Sequence, residues 1–415
     1  MNSNPTDTPQ AQLHTSLTRD ENQTLLVVLG IFVMRMLGLF MLLPVMALYA
    51  ASMPGATPFL VGLAVGAYGI TQAALQIPFG WASDRYGRRR LLVTGLFIFG
   101  AGAIVAALSD SITGVIVGRV VQGAGAISAV LSAVIGDTIA EQRRTRAMAF
   151  VGISLGMSFL VSLMLGPVIS SWVGVKGLFF VSAGLAGAAL ALALWRIPGT
   201  RPETPPNRMA FRSVFKSVRL WQLNVSIFML HLILAALFVA LPFVLRDQFG
   251  LVEGAQWKAV GLIILLSIPG SVVLIRRAER GTDVARAARL DSSSIGLIVL
   301  SMVALAYGLG HPSINLKLVI LIGAVFFSGF NFLEASLPAR VSIVASEQQR
   351  GTALGAFASC QFLGVFVGGA LSGIAMGMGG PKAAFAVCAG AAVLWLVLHL
   401  ATLPAKQSNP ANNVA

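Results

Sequence analysis

Long apolar stretches dominate this chain, and they constrain its fold more than any other feature. We distinguish twelve of them, each near the roughly 20 residues that a helix needs to cross hydrocarbon. The predicted spans are residues 25–51, 58–82, 91–109, 112–139, 147–173, 176–195, 220–245, 258–275, 292–309, 316–344, 352–378 and 383–403. The stretches are too long for the strands of a membrane barrel and do not alternate. The sequence therefore predicts an all-α polytopic membrane protein.

Composition agrees with this class. Charged residues make up 11% of the chain and hydrophobic residues 56%, whereas a soluble domain carries roughly 25% charge. Cys360 and Cys388 both lie in apolar segments, so we expect neither a disulfide nor a metal cluster. The first 24 residues are polar, and we expect no cleavable signal peptide.

The net charge of +14 could suggest nucleic acid, but the distribution of the basic residues favours membrane topology. Of the 29 Lys and Arg residues, 22 fall on the side that holds both termini, five on the other side, and two, Arg35 and Arg119, inside spans. Positive loops face the cytoplasm. We therefore expect no nucleic-acid partner, an inner-membrane location and cytoplasmic termini.

The chain divides into two similar halves. The predicted parts are a polar N-terminus (1–24), a six-helix bundle (25–195), a linker (196–219), a second six-helix bundle (220–403) and a tail (404–415). The linker is rich in Pro and Arg, and helical spacing suggests a short interfacial helix at 208–219. "LFMLLPV" at 39–45 matches "LFVALPF" at 237–243, and "EQRRTRAMAF" at 141–150 matches "EQQRGTALGAF" at 347–357. Equivalent positions in both halves indicate pseudo-symmetry by duplication.

The loop after the second span carries a motif that contains glycines and an acidic residue as well as basic residues. It contains Gly80, Asp84, Arg85, Gly87 and Arg88, and resembles the signature loop of the major facilitator superfamily, G-x-x-x-D-R-x-G-R-[RK]. The resemblance covers 25–403 and implies that superfamily's fold, with a substrate site between the halves.

Two further motifs resemble those of drug–proton antiporters in the superfamily. Arg119, Gln122 and Gly123 match R-x-x-Q-G, whereas Gly166-Pro167 begins a helix-bending motif whose final glycines are here Ser170 and Ser171. The nearest resemblance is to the YajR-like group of drug–proton antiporters. It is carried by "RMLGLFMLLPV" (35–45), "GITQAALQIPFGWASDRYGRR" (69–89), "ALSDSITGVIVGRVVQGAGAI" (107–127), "FNFLEASLP" (330–338) and "CQFLGVFVGG" (360–369). Some members carry a soluble domain after the last span, which we do not expect here.

Ionisable residues inside spans are candidates for function because burying a charge in lipid is costly. We count Glu334 as the one acid deep in a span, and expect it to carry the coupling proton, tuned by Arg35 or Arg119. His231 could share this work, although a mid-helix histidine is about as often a satisfied hydrogen-bond partner. The remaining candidates for the cavity are amides in or near its expected lining: Gln72, Gln76, Gln122, Asn331 and Gln361.

The signature loop predicts a latch between the halves. We expect Asp137 to pair with Arg88, and Asp84 to lie near Gly351 at the start of the eleventh span, where the helix dipole favours an anion. Glu279 and Arg280 form a degraded copy of Asp84 and Arg85 in the second half.

The sequence thus favours a proton-coupled efflux antiporter for amphipathic organic compounds, monomeric, using the proton gradient and no cofactor. An uptake symporter or a sugar or metabolite carrier on the same fold stays open, as does a non-transporting receptor. A primary pump would need a nucleotide-binding loop, which is missing. An enzyme would need clustered catalytic groups, and a channel a repeated pore loop, and we find neither.

Overall fold

The fold is described from a computed structural model over residues 17–199, 216–280, 284–346 and 349–402. The described helices are α1 (Arg19–Phe40), α2 (Met46–Ala51), α3 (Pro58–Tyr86), α4 (Arg88–Leu108), α5 (Ile112–Ala124), α6 (Ser128–Thr138), α7 (Glu141–Arg196), α8 (Val218–Asp247), α9 (Glu253–Glu279), α10 (Val284–Gly308), α11 (Leu316–Val344) and α12 (Arg350–Ala401). The expected all-helical class is confirmed. Most of the N-terminus and of the linker, the interfacial helix except 216–219, and the whole tail lie outside the described residues.

Ten helical segments of the described chain are long and apolar enough to cross a membrane. Two of them, 146–196 and 350–401, contain about 50 residues each, more than twice the length that one crossing requires. The first is interrupted by non-helical backbone at Gly174, and the second at Gly379 and Gly380. Gly174 and Gly380 have φ values of 70° and 65°, which glycine adopts without steric cost. The span count of twelve stays a prediction, because it depends on dividing these two helices at their bends.

Two other spans are each divided between two helices. The first is divided between α1 and α2 at residues 41–45, and the fourth between α5 and α6 at residues 125–127. Gly166 explains how the first break packs, because a Cβ there would lie 2.0 Å from the carbonyl oxygen of Met41. Because Gly166 has no side chain, the first arm of α7, which is the part before the bend at Gly174, packs directly against the backbone of Met41 in this break. The bending role expected for Gly166-Pro167 stays a prediction.

The bundle has two ends with different chemistry. We call the end with Arg88, Arg143 and Arg340 the basic end, and the end with Pro58 and Lys176 the far end. At the basic end, Glu21 ties α1 to the start of α7, since its Oε1 accepts from the Ala140 backbone N–H at 2.9 Å and from Arg143. At the far end, Lys176 pairs with Asp110 between two connections of the first half, and this hydrogen bond lowers the pKa of the exposed Asp110 carboxyl.

The two halves meet along α3 and α12. Gly62, Gly66 and Gly69 of α3 face the backbone of α12. A Cβ on Gly62 would lie 2.1 Å from the carbonyl oxygen of Gly369, and one on Gly69 would lie 2.3 Å from that of Phe362. No side chain fits there without moving a helix. The halves are therefore closed against each other at the far end and toward the middle.

The same two helices are less crowded at the basic end. A Cβ added at Gly351 or Gly355, in the first turns of α12, would meet no neighbour within 4 Å. This contact between α3 and α12, which we call the glycine seam, is therefore closed at the far end and looser at the basic end.

Candidate functional site

Three polar side chains from three helices of the second half form a largely buried cluster, in which the Glu334 side chain is 11% exposed. His231 lies on α8, Glu334 on α11 and Gln361 on α12. His231 is 2% exposed and Gln361 6%. We call this group the carboxyl cluster. Its members are 27 to 130 residues apart in sequence, so only helix packing brings them together.

Hydrogen-bond geometry fixes the roles in the carboxyl cluster. His231 Nδ1 lies 3.2 Å from the Ile227 carbonyl oxygen, which can only accept, so Nδ1 carries the proton. In a neutral ring Nε2 is then an acceptor, and the Gln361 amide nitrogen lies 2.8 Å away to donate to it. The same amide nitrogen donates to Glu334 Oε1 at 3.2 Å. Gln361 therefore bridges the imidazole and the carboxyl group.

One atom of the carboxyl cluster has no partner. Glu334 Oε2 is buried, makes no hydrogen bond, and lies 3.6 Å from His231 Nε2. A buried carboxylate oxygen without a donor is costly, and a proton on that oxygen lowers the cost by removing the charge. The arrangement can hold one proton on Glu334, or on His231 Nε2 if the Gln361 amide turns away.

Aromatic rings cover the carboxyl cluster and link it to the first half. The Phe330 ring lies 5.9 Å from the His231 ring and 5.5 Å from the Phe159 ring of α7, which packs edge-on against Phe40 of α1 at 5.2 Å. These rings lie between the halves next to Glu334. They form an apolar surface beside the carboxyl cluster.

Asn331 lies one helical turn before Glu334, but the structure gives it another environment. Its amide nitrogen lies 3.2 Å from the hydroxyls of Ser267 and Ser271 on α9. It therefore joins α11 to α9 rather than bonding to the carboxyl cluster.

The two buried arginines lie in the first half, away from hydrogen-bond contact with Glu334. Arg35 is fully buried and donates to Gln72 Oε1 at 2.6 Å, to the Gly125 carbonyl oxygen at 3.2 Å and to Ser128 Oγ at 3.2 Å. Gly125 lies in the break in the fourth span, and Ser128 begins the helix that follows it. Arg35 thus satisfies backbone that the broken helix leaves exposed. Gln72 in turn donates to Gln76 at 3.3 Å.

Arg119 lies over the Tyr68 ring, 4.3 Å from its centroid, and donates to Gln122 Oε1 at 2.6 Å. Gln122 donates to Ser182 Oγ at 3.2 Å. Among the described residues no carboxylate lies within 4 Å of either buried arginine. In this conformation no contact supports the expected tuning of Glu334 by Arg35 or Arg119, and that tuning stays a prediction.

The structure brings the signature-loop residues together within the first half. Arg88 Nε donates to Asp137 Oδ2 at 2.8 Å, and Nη1 donates to Ser83 Oγ at 2.6 Å and also pairs with Asp84. Gly87 has a φ of 97°, which favours glycine. Gly80 packs on α6, where its Cβ would lie 3.2 Å from that of Ala129.

Other parts of the expected latch are not engaged. In the described part of the chain, Asp84 bonds to Arg88 and makes no hydrogen bond or ion pair with the second half. Arg85 lies over the Tyr86 ring at 5.6 Å. Glu279 is exposed at the end of α9, and Arg280 accepts through its backbone oxygen from Arg286 at 3.3 Å.

Sequence reasoning missed two buried acids, Glu21 and Asp291. Asp291 of α10 is 4% exposed and binds Arg340 of α11, whose Nη2 lies 2.8 Å from Oδ1. Asp291 pairs with Arg340 at the basic end, so the expectation that Glu334 is the one acid deep in a span stays a prediction. Asp291 falls one residue before the predicted ninth span, whereas α10 begins at Val284. Its 49-residue spacing from Arg340, matched by Arg88 and Asp137 in the first half, was the available signal.

Comparisons with known proteins agree with the helical membrane fold described above. The family model described as Major Facilitator Superfamily matches residues 28–340. The inner membrane transport protein YajR of Escherichia coli (strain K12) is 39% identical over 373 residues, which cover 89% of this chain and 80% of that protein.

Two solved structures share the fold at low sequence identity. The nucleoside transporter NupG has a TM-score of 0.70 at 15% identity, with 92% of this chain and all of that chain covered. The human organic anion transporter MFSD10 (TETRAN) has a TM-score of 0.64 at 18% identity, with 91% and 99% covered. The family expected from the motifs is confirmed: this chain is a multi-pass membrane transporter that belongs to the major facilitator superfamily.

Proposed function

We propose that the chain exports amphipathic organic compounds across the inner membrane in exchange for protons, with Glu334 as the group that binds the proton. The observation that carries this proposal is the unpartnered Oε2 of Glu334, buried 3.6 Å from His231 Nε2. A buried carboxyl group with a vacant oxygen and an adjacent titratable ring is what reversible proton binding requires.

Gln361 couples the two groups. Its amide nitrogen donates to both groups. This requires that the His231 ring is neutral, with Nε2 as an acceptor, and that Glu334 accepts on Oε1. Protonating His231 would turn Nε2 into a donor. Gln361 would then have to present its oxygen to the ring and would no longer donate to Glu334. The amide therefore transmits the protonation state of one group to the other.

The aromatic surface suggests the substrate class. Phe159 of the first half and Phe330 of the second meet beside Glu334, so a compound with an apolar ring system could insert between them. A basic group on that compound would face the carboxyl group. Substrate and proton would then compete for Glu334, which is the requirement for antiport.

Exchange also requires two conformations. The glycine seam between α3 and α12 closes the far end, and the basic residues favour the cytoplasm at the opposite end. The described state would then open toward the cytoplasm. The bonds from Arg88 to Asp84 and Asp137 hold the signature loop within the first half, from where Asp84 can reach the start of α12 when the basic end closes.

Reconstitution into vesicles with an acidic lumen and an enclosed pH dye tests the proposal. Ethidium, an aromatic cation, is added outside at neutral pH. Antiport predicts ethidium entry together with a rise of lumenal pH, whereas symport predicts a fall and a receptor no flux. Glu334→Gln should abolish the coupled pH change, and Asp247→Asn, which changes an exposed acid paired with Arg246 on α8, should retain it. Full proton coupling in Glu334→Gln vesicles would refute the assigned role.

A further inference from the structure

A cavity lies between the halves at the far end, away from the carboxyl cluster. It has a volume of about 250 Å³ and is lined from the first half by the break between α1 and α2 and by the first arm of α7, and from the second half by the start of α9. Pro44 and Pro167 form part of its apolar wall. The volume is slightly below the range of about 300–1,000 Å³ typical of ligand pockets, so the cavity suits a small molecule.

Three polar atoms on the cavity wall have unused hydrogen-bonding capacity. Gln256 is 6% exposed and donates through Nε2 to the carbonyl oxygens of Pro242 at 3.0 Å and Leu251 at 3.1 Å. These bonds fix the amide and leave Oε1 as an acceptor. Within the described part of the chain, Ser170 Oγ and Trp257 Nε1 also make no hydrogen bond, although both residues line the cavity. The wall thus offers one acceptor and two donors.

Ser170 belongs to the segment that departs from the antiporter motif. Where that motif has two glycines, this chain has Ser170 and Ser171, and both line the cavity. Ser171 Oγ already donates to the Val168 carbonyl oxygen at 2.6 Å. The departure therefore supplies a free hydroxyl at Ser170 and a satisfied one at Ser171.

The charge and shape of the cavity restrict the class of ligand that it can bind. The described residues that line the cavity include no charged side chain, so an ion there would lack a counter-charge, which disfavours its binding. The Trp257 ring and the prolines suit a flat apolar body. A polar group that donates to Gln256 and accepts from Ser170 and Trp257 needs a hydrogen-bond donor and an acceptor close together. A primary carboxamide has both.

We propose that this cavity is a second binding site, distinct from the carboxyl cluster, for a small uncharged aromatic molecule with a carboxamide-like head. Because its walls belong to both halves, opening the far end takes the site apart. A ligand there stabilises the closed far end and slows transport. Binding does not depend on the direction of transport or on proton coupling.

Equilibrium binding of radiolabelled benzamide to the purified full-length chain in lipid nanodiscs tests the site. Ser170→Ala and Trp257→Phe each remove one donor and should weaken binding by roughly three- to tenfold. Ser171→Ala is the matched control, and should change binding less than about twofold because its hydroxyl is already bonded. Benzoate has a similar shape but a charge, ethylbenzene lacks the polar head, and both should bind much more weakly.

The proposal is overturned if benzamide does not bind at millimolar concentration, if both variants bind as wild type does, or if either comparison ligand binds equally well. A further variant separates this cavity from other surfaces. Gly369→Val obstructs closure of the far end, so it should remove benzamide binding while the thermal unfolding transition in detergent persists. Unchanged binding in that variant would place benzamide elsewhere.

Discussion

Gly62 of α3 lies so close to Gly369 of α12 that a Cβ on Gly62 would be 2.1 Å from the Gly369 carbonyl oxygen. The two helices belong to different halves, and the contact lies at the far end. Because backbone touches backbone, this end can close only if neither position carries a side chain. The pair therefore determines whether the far end can close.

Gly62→Val should shift the chain toward a state that is open at the far end and abolish transport. The test is labelling of Leu48→Cys, a cavity position, by an impermeant maleimide after Cys360 and Cys388 are replaced by alanine. We expect labelling to become at least about tenfold faster, which corresponds to about 1.4 kcal/mol. Gly377→Ala is the control, because its Cβ would meet only Pro58 at 3.7 Å. Equal labelling rates in a folded Gly62→Val protein would contradict the prediction.

Two ion pairs, Arg88–Asp137 and Asp291–Arg340, occupy equivalent places with exchanged charges. Each joins the third span of a half to the fourth, and the partners are 49 residues apart in both cases. The side chain of Asp137 is 40% exposed and that of Asp291 5%. Loss of the Asp137 carboxylate leaves Arg88 paired with Asp84. Loss of the buried Asp291 carboxylate leaves Arg340 with only the Ala287 carbonyl oxygen among the described residues, so it costs more.

We therefore expect Asp291→Asn to lower the free energy of unfolding by about 3 kcal/mol, and Asp137→Asn by at most about 1 kcal/mol. Denaturant unfolding in detergent micelles measures both. The double variant Asp291→Arg with Arg340→Asp restores opposite charges and should recover part of the loss. Equal losses in the two single variants would show that burial does not decide the strength of these pairs.

Gln361→Leu should uncouple transport from the proton gradient. The substitution removes the one amide that donates to both His231 and Glu334. We expect proton-driven flux to fall about a hundredfold, the lower end of the range of general acid–base effects, while substrate exchange without a gradient is retained. Ser372→Ala is a matched control, because Ser372 bonds the Ala236 carbonyl oxygen between the same two helices. A normal proton-driven rate in Gln361→Leu would exclude the bridging role.

Arg35→Lys should destabilise the first half although it keeps the charge. Arg35 reaches Gln72, Gly125 and Ser128 from two nitrogens, and a single ammonium cannot occupy both positions. The expected loss is about 1.5–3 kcal/mol, as for hydrogen bonds to charged groups, against about 1 kcal/mol for Ser128→Ala. Thermal unfolding in detergent gives the comparison. A lysine variant as stable as the wild type would show that Arg35 does not hold the broken span.

Features that are local along the chain could be predicted from the sequence. Hydropathy gave the helical membrane class, since a span must be apolar over its whole length. The signature loop gave the family, because its residues are consecutive. The bridging of His231 and Glu334 by Gln361 could not be predicted, because it depends on the rotation of three helices about their axes. The burial of Asp291 was missed because the predicted ninth span starts at residue 292, just after Asp291, whereas α10 begins at Val284.

By itself the sequence determined the class, the family, the distribution of basic charge and the list of polar residues inside apolar segments. Only the tertiary structure decided which of these residues meet. It placed Arg35 against the broken fourth span and left Glu334 Oε2 without a partner. It also formed a cavity around Ser170 from both halves. The physical reason is that hydropathy and charge act on each segment separately, whereas hydrogen bonds and cavities depend on distances between segments, which packing alone determines.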